Sequence, residues 1–455
     1  MASLLRHVPA MCGLMLVCGV AQAAPPTVAG FTYVQSLDGI DEYRLDANGL
    51  DVLLKPDHSA PVVTFQVTYH VGSRNEVTGT TGATHILEHM MFKGSEHFND
   101  PAGNSVKQYL ERVGGQFNAT TSFDRTNYFA TIGKDKLEGY IAIEADRMRN
   151  LWLREADRQA EMTVVRNEYE RGENSPGNAL YKEIFAAAFE AQPYHHMTIG
   201  WRSDIEKVPI EKLREFYDTF YWPDNATVTA VGDFDTPHAL ELIKKYYGTI
   251  ARSPHAIPQV YTTEPPQQGP RRVTLKRAGQ LGIVMIAYKA PDGRAADVPA
   301  LDVLGAILSI GENSRFSVAL MDKSLTTGVG ADISAMHDPG LFLVSAGLAP
   351  DIKHEQVELA LLAEIKRIKD EGVTAEEVAR VVNQYRASQA YSRDGTAGIA
   401  STLNEWIAVG DWTLYATYVD SVAKVTPADV QRVAKTYLNE DQSTTGWFVP
   451  TVKTR

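Results

Sequence analysis

The feature that most constrains the fold is that one order of elements is written twice. Between two periodic regions lies "IPQVYTTEPPQQGPRR", residues 257–272, in which four prolines and polar residues mark a linker. "LGIVMIAYKAP" after the linker stands where "PVVTFQVTYHVGS" stands before it. "GLFLVSAGLAP" corresponds to "NYFATIGKD" in leading from a strand into a long helix, and "PADVQRVAKTYLNEDQSTTGWFVP" mirrors "IEKLREFYDTFYWPDNATVTAVGDF". Strands flanked by consecutive helices, without strict alternation, predict an α+β fold of two homologous domains. Each is a mostly antiparallel or mixed sheet with helices on one side. The expected boundaries are 24–256 for the first domain, 257–272 for the linker and 273–455 for the second.

In the first half, "PVVTFQVTYHVGS" alternates as a half-buried strand does. A helix near 104–112 leads through Gly114 and Gly115 into strands at 116–121 and 127–132. Helical patterns follow at 134–150, 154–171 and 210–220, then the strand "ATVTAVGDF" and a helix at 237–247.

Residues 1–23 read as a secretory signal peptide. Arg6 and His7 precede a mostly apolar run at 8–20, and Ala21-Gln22-Ala23 forms an A-x-A cleavage site. The run falls short of the roughly 20 apolar residues a span needs, and no later segment approaches that length, so no membrane span is expected. The mature chain is expected in the periplasm or outside the cell. Both cysteines, Cys12 and Cys18, lie inside this segment, so a metal in the mature chain must be held by His, Asp or Glu. The net charge of -12 and the lack of a long basic block argue against nucleic acid as a partner.

"THILEHMMF" places His85, Glu88 and His89 within five residues. Residues four apart on a helix lie about 40° apart around the axis, so His85 and His89 share a face within reach of one ion. Glu88 sits on that face too. Two neutral imidazoles with an open position suit catalytic zinc, and a carboxylate beside bound water can take its proton. The apolar neighbours Ile86, Leu87, Met90, Met91 and Phe92 mark the helix as largely buried, where His and Glu need partners. A third protein ligand is required, and "AEMTVVRNEYERGE" offers Glu161 and Glu168 on one helix face. Their spacing does not choose between them. His195 and His196 in "YHHMTIGW" are adjacent, point apart on an extended segment, and read as structural rather than as a ligand pair.

Together, "GATHILEHMMFKGSEHF", "GGQFNATTSFDRTNY" and "EMTVVRNEYERGENSP" resemble the inverzincin peptidases of the insulysin, pitrilysin and mitochondrial processing peptidase family. The similarity is to the short, two-domain processing-peptidase branch, and it is strongest over residues 50–250. It implies one Zn2+ per chain, with His85, His89 and Glu168 as ligands, Glu88 as general base and Glu161 as the carboxylate that orients the site. It also implies that Asn118 and Ala119 bind an extended peptide by strand addition, with Phe92 as a further substrate contact. The activity implied is a zinc endopeptidase, one half of a clamshell. The alternative is a non-catalytic peptide-binding or assembly subunit.

One departure stands out. Family members present an Arg and a Tyr from a C-terminal domain facing the zinc. The matching region, "SRFSVALMDKSLTTGVGADIS", has Met321 or Asp322 and Gly328 or Val329 at those positions. Arg315 belongs to the "SR" that opens this helix in relatives. The expectation is a heterodimer with a homologous non-zinc subunit supplying both residues, and a homodimer as fallback.

Overall fold

The structure is a computed structural model that describes residues 26–451. The signal-peptide reading of 1–23, with Cys12 and Cys18, falls outside the described residues. The first sheet contains β1 (Phe31–Leu37), β2 (Ile40–Leu45), β3 (Asp51–Pro56), β4 (Val62–Tyr69), β5 (Gln116–Thr121), β6 (Thr126–Gly133) and β7 (Ala226–Gly232), in the order β1-β2-β3-β7-β4-β6-β5. The second contains β8 (Arg271–Ala278), β9 (Ile283–Lys289), β10 (Thr326–Ile333), β11 (Leu341–Leu348) and β12 (Ser443–Thr451), in the order β8-β12-β9-β11-β10. Five strands correspond one for one. In each sheet the pair β3–β7 or β8–β12 is parallel and the remaining pairs are antiparallel. The first sheet adds only the β1–β2 hairpin, turned at Asp38 and Gly39 with φ of 53° and 72°.

The helices of the first half are α1 (Ala83–Met90), α2 (Val106–Val113), α3 (Leu137–Arg149), α4 (Glu155–Glu173), α5 (Pro176–Ala188), α6 (Arg202–Lys207), α7 (Ile210–Phe220) and α8 (Thr236–Tyr247). Those of the second are α9 (Val298–Ser309), α10 (His354–Glu371), α11 (Ala375–Ser392), α12 (Gly395–Val409), α13 (Leu414–Ala423) and α14 (Pro427–Tyr437). The duplicated α+β architecture expected from the sequence is what forms.

The two halves exchange a helix. α5 lays Leu180, Ile184 and Phe185 on Met285, Ala287, Leu343 and Phe448 of the second sheet. The approach is close: a Cβ on Gly446 would stand 2.6 Å from Ile184 Cδ1. In return α12 lays Ile399, Ala400, Leu403 and Ile407 on the first sheet beside Leu53 and Val231. This corrects the half-buried reading of β4. Its apolar face, Val63, Phe65 and Val67, meets the first half's own core. Its polar face, Thr64, Gln66 and Thr68, is buried as well. Thr64 bonds Thr396 Oγ1 at 2.8 Å, Gln66 Nε2 donates to Ala400 O at 3.3 Å, and Thr68 donates to Asn404 Oδ1 at 2.8 Å. Buried polar groups persist where they find partners, and α12 supplies them.

Candidate metal centre

α1 is only eight residues long, too short to hold itself in water, so its position comes from packing and capping. Ile86, Leu87 and Met90 are buried in the first core. The N-cap is Gly82 at φ 85°, where a Cβ would stand 2.6 Å from Ile199 O. The Glu76 carboxylate accepts the N–H groups of Gly82 and Thr84, each at 2.8 Å, and meets His196 Nε2 at 3.0 Å. His195 turns away, its Nδ1 3.0 Å from Gln192 O. The two histidines thus take separate partners, as their adjacency predicts, and Glu76 is a contributor that no local pattern announces.

α4 packs across α1 and brings both of its candidate glutamates to the site. His85 Nε2 and His89 Nε2 stand 3.6 and 3.5 Å from Glu168 Oε2. One ligand atom from each of the three residues lies within 4.8 Å of the others. These separations are too long for hydrogen bonds. They fit a metal: ligands about 2.0–2.1 Å from zinc at tetrahedral angles stand about 3.4 Å from one another. His85, His89 and Glu168 thus form a donor set of the kind that holds a metal ion.

Glu161 has a different place. Its Oε2 lies 2.9 Å from His89 Nδ1, on the side of the ring away from Glu168, and its Oε1 pairs with the Lys93 ammonium. Burial pushes the Glu161 carboxyl up, but the bonds from Lys93 and His89 outweigh it and hold the group below its ordinary value. A carboxylate at Nδ1 fixes the tautomer that leaves Nε2 free to bind metal. His85 Nδ1 is buried with no hydrogen-bond partner among the described residues. Burial and the neighbouring His89 lower the His85 pKa to about 4, so its imidazole is neutral and ready to ligate at neutral pH.

Glu88 lies one turn along α1. Its Oε2 accepts from Thr121 Oγ1 at 2.5 Å, and among the described residues Oε1 takes no hydrogen bond. Burial raises the Glu88 pKa, with Thr121, His89 and Arg125 opposing and Glu168 adding to the rise. A raised carboxylate pKa makes a better proton acceptor near neutrality.

Thr121 ends β5, the outermost strand of the first sheet. Ser122 N–H donates to Arg125 O at 2.8 Å at the hairpin turn, and the β5–β6 register runs without a bulge. Hydrogen-bonded pairs alternate along an antiparallel ladder, so Thr120↔Asn127 and Asn118↔Phe129 are bonded pairs. Phe117, Ala119 and Thr121 therefore turn their main-chain groups to the edge that no strand among the described residues pairs. The Asn118 side chain is exposed and Ala119 is buried. Phe92 is half-buried, 6.1 Å from the Phe117 ring and 6.2 Å from Tyr128. Glu168 also lines a cavity of about 230 Å³ that opens between Tyr169, Gly172, Tyr181, Met197 and Ile199. Thr121, Lys93 and this cavity add to the residues the motif singles out.

In the second half the segment Ser317–Met321 forms a π-helical turn, with Met321 and Asp322 exposed and Gly328 and Val329 on the outer strand β10. Arg315 is committed elsewhere, its Nε 2.7 Å from Glu377 Oε1 and its Nη2 3.2 Å from Gly372 O. It does not stand in for the missing Arg.

Comparison with known proteins gives the family. Residues 51–200 match Insulinase (Peptidase family M16), and residues 207–385 match the Peptidase M16 inactive domain. The zinc protease PqqE of Helicobacter pylori is 31% identical over 408 residues, covering 89% of this chain and 91% of that protein. The chain belongs to the insulinase family, M16. The probable mitochondrial-processing peptidase subunit beta of Arabidopsis thaliana is 25% identical, covering 86% of this chain and 75% of that one. Among solved structures, a protease from Helicobacter pylori superposes with a TM-score of 0.86 at 31% identity, covering 91% of this chain and all of that one. The first half of the periplasmic protease PqqL from Escherichia coli gives 0.75 at 19% identity, covering 92% of this chain and 94% of that one. Among the described residues no helix is long and apolar enough to cross a membrane.

Proposed function

We propose that this chain is a zinc endopeptidase that hydrolyses peptides or small unfolded proteins held as an extended strand along β5. One observation carries the reading: His85, His89 and Glu168 converge at metal-ligand spacing beside the open edge of β5 and a Glu88 carboxylate oxygen that takes no hydrogen bond among the described residues. Zinc bound there supplies Lewis acidity, which makes water a nucleophile near neutral pH and polarises the peptide carbonyl. The residues of this chain do the rest. The outward main-chain groups of Phe117 and Ala119 align the peptide backbone, which tolerates varied side chains. Thr121 holds Glu88 so that Oε1 takes a proton from the attacking water, and that proton then passes to the departing amide nitrogen as the C–N bond breaks. The cavity beside Glu168, with Tyr169, Tyr181, Met197 and Ile199 on its walls, accepts an apolar substrate side chain next to the scissile bond.

In this reading 24–256 is the catalytic domain and 273–455 its inactive homologue. The missing Arg and Tyr come from a homologous subunit that lacks the zinc motif. A relative named as a subunit and a neighbour solved as a first half support a second half. Export to the periplasm is supported by the A-x-A segment and by a periplasmic neighbour.

Peptide hydrolysis by the purified chain, alone and mixed with such a homologue, tests these points. Glu88→Gln is expected to keep one zinc and lose at least about 100-fold in turnover. Unchanged turnover refutes the base assignment. Full activity of the chain alone removes the need for a partner. A zinc-loaded parent inactive in both conditions supports a non-catalytic peptide-binding subunit.

A further inference from the structure

We infer that Glu76 and His196 form a positioning clamp that presets α1, so that His85, Glu88 and His89 stand in register before metal or substrate arrives; this rests on the zinc-peptidase reading above. The clamp is wholly internal, the Glu76 side chain being 0% exposed and that of His196 2%. Three donors converge on one carboxylate: Gly82 N–H and His196 Nε2 at Oε2, and Thr84 N–H at Oε1. A neutral Ser or Asn cap would satisfy a helix start at lower desolvation cost. The carboxylate instead grips the N-cap and the first turn of α1 together and ties them to a segment over 100 residues away. Thr81 fastens the same loop, accepting from Trp201 N–H at 2.9 Å and donating to Asp204 Oδ2 at 2.8 Å.

Geometry explains why the clamp matters to chemistry. Side-chain ends on a helix lie about 5–6 Å from its axis, so a 10° roll displaces a ligand atom by about 1 Å. A working metal or catalytic site tolerates about 0.5 Å. An eight-residue helix cannot resist that roll by itself. Holding the N–H of the N-cap, Gly82, and that of Thr84 in the first turn fixes its rotation, and His85 follows Thr84 directly. The clamp also reaches the proposed substrate side, because Met197 and Ile199, which follow His196, line the cavity beside Glu168.

The test compares zinc affinity by competition with a chromophoric chelator in the parent, Glu76→Gln, His196→Phe and His196→Gln, with thermal unfolding of the metal-free forms alongside. Gln at 196 can still donate to Glu76. Zinc dissociation constants are expected to rise about tenfold or more for Glu76→Gln and His196→Phe, and to stay within about threefold of the parent for His196→Gln. A purely structural pair would lower the metal-free unfolding midpoint and leave zinc affinity unchanged, which overturns the proposal. If Glu76→Gln or His196→Phe fails to fold, hydrogen exchange in the metal-free parent decides. The α1 amides are expected to be protected without zinc, and free exchange there overturns the clamp. A parent that binds no zinc fails the site reading itself; a parent that binds zinc beside unaffected variants fails only the clamp.

Discussion

Replacing Glu161 by Gln isolates what one carboxylate does for the metal helix. The group is 11% exposed and serves two donors, His89 Nδ1 at Oε2 and the Lys93 ammonium at Oε1. An amide of the same shape has one oxygen for both. If the oxygen faces His89, the NH2 is driven against Lys93. If it faces Lys93, the NH2 meets His89 Nδ1 and favours the tautomer with its proton on Nε2, which cannot ligate. Either outcome weakens metal binding. Losing a partner of this kind costs about 10–100-fold in metal affinity, about 1.4–2.8 kcal/mol. Glu168→Gln removes a ligand and is expected to exceed the upper end of that range, about 100-fold. Competition titration against a chelator at fixed pH, with circular dichroism confirming the fold, measures both. An unaltered affinity for Glu161→Gln refutes the orienting role. A loss as complete as that of Glu168→Gln would make Glu161 a ligand.

Two other outcomes follow from the same geometry. His85 titrates near pH 4 in the metal-free protein, against about 6.5 in an unfolded chain, so the unfolded state binds the extra proton first as pH falls. Stability of the metal-free form is therefore full above about pH 6.5 and declines by about 3 kcal/mol from this group as pH falls toward 4. An NMR titration with His85 at its ordinary midpoint contradicts this. Gly172 lines the cavity beside Glu168, and a Cβ there meets nothing within 4 Å. Gly172→Leu is expected to lower kcat/KM by about tenfold for peptides with a bulky apolar residue at the scissile bond and to spare those with Ala or Gly. Equal losses for both peptide sets refute the cavity's role.

What the sequence discloses here is periodicity and chemistry within short windows. The α1 motif, the β5 and β6 strands and the duplicated order of elements are all local patterns, and they form where those patterns place them. The exchanged helices are not local. Leu180, Ile184 and Phe185 declare that α5 is buried, but no spacing says that the covering sheet belongs to the other half. The polar alternation of β4 is ambiguous for the same reason, since Thr64, Gln66 and Thr68 suit water equally until α12 arrives. β1 is exposed on both faces for most of its length, so its pattern is weak even though Asp38-Gly39 signals a hairpin turn. At the site, the two glutamates of α4 share a face by spacing. Only the tertiary crossing with α1 separates Glu168, facing both imidazoles at Nε2, from Glu161 behind His89. Glu76 and His196 lie 120 residues apart and become one unit only when the loops close.

The most direct measurement is zinc anomalous scattering from crystals of the metal-loaded protein. A single ion is expected about 2.0–2.2 Å from His85 Nε2, His89 Nε2 and a Glu168 oxygen, with Glu161 on His89 Nδ1 and outside bonding distance of the metal. An ion bound through Glu161, or one held away from the His85 and His89 pair, would contradict it.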